Sequence, residues 1–188
     1  SLKGFGIEKM DCGICSAGAI LSYLEITKHD LIAHVTSISR IDESSCVLLD
    51  KFTLRNLELL HSSYEEGKSL VDIIDRTVTP MGGRTLRRWM CMPLKSPEKI
   101  NERLQITECF IHHEAERLET EMLLRNIGDL ERLASKIAAG RITPREIVQL
   151  KMALGCIPPL QEQCRKIDNP VLHQLTSPLD CCQPLYEK

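Results

Sequence analysis

Aromatic side chains make up only 4% of this 188-residue chain, and tryptophan occurs once. That scarcity argues against a platform for stacking nucleobases and favours aliphatic packing between helices. No apolar run approaches the roughly 18 residues a membrane span needs. The opening SLKGFGIEKMDCG has no apolar signal-peptide core. Charge of one sign is also lacking: 24 Lys and Arg stand against 26 Asp and Glu, a formal charge of −2. A surface that binds nucleic acid everywhere by electrostatics is therefore excluded, although a local basic patch is not. What is present is apolar residue, 43% by count. A chain this long should bury roughly 70% of its unfolded surface, so it folds.

Nine cysteines (Cys12, Cys15, Cys46, Cys91, Cys109, Cys156, Cys164, Cys181 and Cys182) are an odd number, mostly inside helical patterns. With no secretory signal, they are expected as reduced thiols serving as small core hydrophobes in a cytoplasmic protein. Cys12-Gly13-Ile14-Cys15 is a CxxC, but zinc needs a second ligand pair and a redox site needs a βαβ context. His112-His113 lies in no HExxH pattern and is expected as surface or structural histidine. No GxSxG elbow occurs. Met81-Gly82-Gly83-Arg84-Thr85 lacks the GxxxxGK[ST] spacing that cradles phosphate. No metal or cofactor site and no catalytic set is expected here.

The spacing predicts a mostly helical domain. Gly13–Thr27 places Ile14, Ala17, Leu21 and Leu24 on one stripe, read as buried. Short β-branched runs at 34–38 and 46–49 around a polar turn suggest one small hairpin near residues 35–49. Asp50 should cap a short helix carrying Leu54, Leu57 and Leu60. Ser69 with Asp72 resembles a capping box. Thr79-Pro80, Ser96-Pro97 and Thr143-Pro144 each pair an N-cap with a proline at the first helical position. The helix from Pro80 should end near Met92, before Pro93. Asp129 opens another helix, with Gly140 at its C-terminal end. Pro158-Pro159 and Pro170 divide the remainder into short helices.

Charge is segregated along the chain. Between Arg76 and Arg103 lie seven basic residues (Arg76, Arg84, Arg87, Arg88, Lys95, Lys99 and Arg103) against two acids, Glu98 and Glu102. From Glu114 to Glu131 there are six acids against two arginines. The plain reading is two solvated helix faces of opposite sign. The sharper one is a basic ledge that meets a phosphate backbone or an acidic domain.

Several segments, taken in order, resemble one family. Gly4-Phe5-Gly6 and Ser16 through Leu24 are similar to the "GFG … AAGALLQYL" stretch of MutS mismatch repair proteins. Leu48-Leu49-Asp50, Thr53 and Arg55-Asn56-Leu57-Glu58-Leu59 resemble the "LD-x-x-T-x-RNLEL" segment. Leu70 through Leu94 matches the "LLxxLDxTxTxMGxRxLRxWLxxPL" stretch, and Gly128 through Arg145 the "xDLERLxxRxxxGRxxPRDL" stretch. The resemblance implies an all-α, irregular multi-helix core. Residues 1–30 would end a connector, and 31–188 would be a helical core (domain III) cut before the lever and clamp. It implies a structural segment that couples an ATPase domain to a DNA clamp and a mismatch-binding domain.

The parent implied is a DNA-dependent ATPase that uses ATP and Mg. It would bind mismatched double-stranded DNA as a homodimer and recruit MutL. The fragment itself would be no enzyme, would hold no cofactor and would contact other domains of the same chain. Candidate coupling residues are Arg55, Asn56 and Glu58 in one cluster, and Arg76, Thr77, Met81, Arg87, Arg88 and Trp89 in another. Adjacent Arg87 and Arg88 point about 100° apart, so one pocket cannot bury both. Two rival readings remain at this stage: a stand-alone helical scaffold for protein interaction, and a thiol or metal enzyme on Cys12 and Cys15.

Overall fold

The structure is a computed structural model that describes residues 7, 10–27, 35, 38 and 45–183. Among these residues it is all helix: α1 (Asp11–Ile26), α2 (Lys51–Asn56), α3 (Leu70–Ile74), α4 (Pro80–Cys91), α5 (Pro97–His112), α6 (Glu114–Ile127), α7 (Leu130–Ala138), α8 (Pro144–Gly155), α9 (Ile157–Lys166) and α10 (Pro170–Thr176). Two compact units result, one of Ser1–Asp42 with Ala134–Ile142, the other of Glu43–Leu133 with Thr143–Lys188. No helix of the described residues is long and apolar enough to cross a membrane.

The helix boundaries follow local chemistry. Ser69 accepts from the Asp72 N–H while the Asp72 carboxylate accepts from the Ser69 N–H, a capping box with Ser69 fully buried. Thr143 and Glu146 repeat that box ahead of α8, with Pro144 at the first turn. Thr79, Ser96 and Asn169 each cap a helix that opens on proline. Pro158 and Pro159 sit in the first turn of α9, where no intrahelical N–H is needed. Asp129 holds the start of α7, accepting from the Arg132 N–H at 3.2 Å. Gly140 takes φ 62° just past the end of that helix.

In the larger unit two apolar clusters form the core. Cys109 of α5, Cys164 and Ile167 of α9 and its exit, and Leu172 of α10 make one, flanked by Ile106 and Phe110. Ile127 of α6, Ala153 of α8 and Leu160 of α9 make the other, flanked by Met81, Leu123 and Leu130. Helix α9 contributes to both and is the shared element.

Three expectations need correction. The α1 stripe is not buried: Ile14, Ala17 and Leu24 are half-exposed and Leu21 is exposed. The helix capped by Asp50 carries Leu54 but stops at Asn56, short of Leu57 and Leu60. The chain turns there through Glu58 at φ 47°, and the Glu58 and Leu59 carbonyls accept from the Leu70 and Val71 N–H groups, at 2.9 and 3.0 Å. Those two bonds splice the exit of α2 to the start of α3. Of the nine free cysteines, only Cys46, Cys109 and Cys164 are buried, so most thiols are not core filler. Burial holds the Cys109 and Cys164 thiols above their ordinary pKa.

Most of the expected first hairpin arm lies outside the described residues. Its second arm pairs elsewhere: Cys46 forms an isolated antiparallel bridge with Leu94. The Val47 N–H donates to Pro93 O at 2.7 Å and the Lys95 N–H to Ser45 O at 3.1 Å. The Gly4-Phe5-Gly6 match and the chain end after Gln183 also fall outside the described residues.

Candidate interhelix charge node

Helix α4 carries the candidate site. Its N-terminus is fixed by Thr79, whose hydroxyl accepts from the Gly82 N–H at 3.0 Å. One turn on, Arg84 reaches the junction between α6 and α7. Its Nη1 and Nη2 donate to the two oxygens of Asp129 at 2.9 and 2.7 Å, and its Nε donates to Glu131 at 3.0 Å. A planar guanidinium that grips one carboxylate with two nitrogens and a second with a third is oriented as well as attracted. Asp129 is aimed by Gly128, which ends α6 at φ 68° and ψ −139°, backbone that glycine alone adopts readily.

One turn further, Arg87 lies 3.7 Å from Asp75. The Asp75 Oδ1 also accepts from the Thr77 hydroxyl at 2.6 Å and from the Thr77 N–H at 3.0 Å. Gly83 is buried between these groups. A Cβ there would lie 3.3 Å from the Thr77 hydroxyl and 3.6 Å from Asp75, so its absence lets α4 approach that turn. Asp75, Thr77, Gly83, Arg84 and Arg87 line a groove of about 720 Å³.

The electrostatics follow the geometry. The Arg84 hydrogen bonds hold the Asp129 carboxyl below its ordinary 3.8, and the two acids raise Arg84 in turn. The Thr77 hydroxyl and N–H hold Asp75 down, with Arg87 adding to it. A carboxyl whose folded pKa is depressed stabilises the fold above its unfolded pKa, and that contribution is lost as pH falls through the folded value. Arg84→Met is therefore expected to lower the melting temperature at pH 7, with a smaller deficit near pH 2.5, roughly a unit below the ordinary Asp value. Thermal melts at the two pH values check this. An equal deficit at both would contradict it.

The sequence candidates fall in different places. Thr77 and Arg87 converge on Asp75, with Arg76 exposed between α3 and α4. Met81 packs against the core cluster of Ile127, Ala153 and Leu160. Arg88 is exposed, and Trp89 lies under the Arg103 guanidinium, 3.5 Å from the ring centroid. Arg55 and Asn56 are exposed at the end of α2. Glu58 lies past the end of α2, and its carboxylate accepts from the Ser63 N–H at 2.9 Å, which lowers its pKa. Asp75, Asp129 and Glu131 were absent from the candidates, and Arg84 was among them only as part of the basic run. The opposed charge of the two runs was the available signal, since the structure brings Arg84 from one onto two acids of the other. No cluster of three or more metal-ligating side chains occurs among the described residues.

The described residues form an all-helical core whose segments are tied by helix caps and one guanidinium. The sequence pattern of MutS domain III matches residues 52–187, and the chain belongs to that family. It is 49% identical over 182 residues to the DNA mismatch repair protein MutS of Bacteroides fragilis, covering 97% of this chain and 21% of that protein. The MutS proteins of Porphyromonas gingivalis and Phocaeicola vulgatus are 49% and 50% identical over the whole chain, which spans 21% and 22% of their lengths. The chain thus spans about a fifth of the curated relatives it matches.

Proposed function

We propose that this chain is a structural core segment of a DNA mismatch repair protein, coupling an ATPase domain to a DNA clamp and a mismatch-binding domain. Residues 1–30 would end a connector, and 31–188 would form the helical core. ATP with Mg, mismatched duplex DNA, a second subunit and MutL would then be ligands and partners of the longer protein. Its ATP hydrolysis would take place outside this segment.

The observation that carries the reading is family membership over residues 52–187 together with the Arg84 grip on Asp129 and Glu131. Packed helices shift as bodies instead of deforming, so a fixed contact between two of them can pass on a displacement. The exit of α2 is a second joint in this reading. It is spliced by backbone bonds to α3 while Arg55 and Asn56 remain exposed for another domain.

Arg55→Ala in the longer protein is expected to slow ATP-induced release from mismatched DNA about tenfold, within the usual coupling range. Affinity for the mismatch without nucleotide should change little, because Arg55 is assigned no DNA contact. Surface-tethered duplex and a step of ATP measure both quantities. Unchanged release would contradict the assignment of this joint.

A further inference from the structure

A second face of the larger unit plays no part in the charge node. A groove of about 580 Å³ runs between the end of α4, the first half of α5 and α10. Its apolar lining includes Leu94, Ile106, Val171 and Leu175, and its rim carries Lys99 and Arg103 with a single acid, Glu102. Trp89 forms one wall, 42% exposed, and Leu175 is 61% exposed.

The basic run divides at this point. Arg84 and Arg87 are held by carboxylates of the chain itself. Among the described residues, Arg88, Lys95, Lys99 and Arg103 make no ion pair. Of these, Lys99 and Arg103 line the groove, with the Arg103 guanidinium over one face of the Trp89 ring. Two cations against one acid on the rim of an apolar trough call for a ligand that brings acid and apolar side chains together.

We propose that this groove docks a short acidic segment of a separate protein, with an aliphatic or aromatic side chain seated against Trp89 and Leu175 and carboxylates on Lys99 and Arg103. Duplex DNA fits less well, because phosphates would use the cations and leave the apolar floor unfilled. Cations on the rim make docking of an acidic segment salt-sensitive.

Trp89 is the single tryptophan of the sequence, so its emission reports on the groove alone. The test titrates the chain with a capped peptide of about a dozen residues, Asp and Glu around a central Leu-Phe pair. A peptide with Lys in place of the acids and a short DNA duplex serve as the other arms. The acidic peptide is expected to shift Trp89 emission saturably. Lys99→Glu should weaken that binding about tenfold, as should Leu175→Asp, while Arg145→Glu on α8 should leave it within about twofold. Raising salt from about 50 to 200 mM should weaken it several-fold. Binding of the duplex in preference to the peptide, equal response to the Lys peptide, or no response to any arm overturns the proposal.

Discussion

Replacing Ile167 by alanine is expected to cost about 2–5 kcal/mol of folding stability, the range for truncating a fully buried aliphatic side chain. Ile167 has no solvent exposure and sits where α9 ends, among Cys109, Cys164 and Leu172. Three elements therefore lose contacts at once. The backbone there is equally committed: the Ile167 carbonyl accepts from the Asn169 N–H at 2.9 Å, and the His173 ring lies 2.8 Å from it. These bonds hold the walls in place and limit how far they can collapse into the void. For a chain of this size the loss converts to roughly 5–15 °C in melting temperature. Ile167→Val, which removes one methylene, should cost about 0.5–1.5 kcal/mol. Chemical denaturation of the two variants checks the ratio. Equal effects would contradict the full burial of this side chain.

What could be read from sequence was local. Thr79-Pro80, Ser96-Pro97, Thr143-Pro144 with Glu146, and Ser69 with Asp72 all begin helices where expected. The signal works because a cap and its N–H partner lie within three residues, and the proline ring removes a donor that has no use there. The family resemblance, carried by short motifs in order, also proved correct.

Pairing across the fold was not legible. Nothing near Cys46 in sequence says that its backbone partner is Leu94. The stop of α2 at Asn56 is imposed by the Glu58 and Leu59 carbonyls bonding to Leu70 and Val71, more than ten residues away. The α1 stripe had a helical period yet is not buried, since periodicity tells which face is apolar and not what meets it. Arg84 shows the same limit at the candidate site. Its chemistry was visible as one cation in a basic run, whereas its role depends on Gly128 turning Asp129 toward α4 from 45 residues away.

The coupling account stands or falls on that guanidinium. Arg84→Met keeps much of the side chain's length and removes the hydrogen bonds to Asp129 and Glu131. Because Arg84 is half-exposed, the variant should still fold, which circular dichroism verifies. The decisive measurement is the rate of ATP-triggered release from a mismatched duplex by the longer repair protein, taken beside its nucleotide-free affinity for the same duplex. A loosened joint between α4 and the α6–α7 junction predicts release slowed about tenfold or more, with affinity kept within roughly twofold. Release at the unaltered rate from a folded Arg84→Met protein would contradict the account.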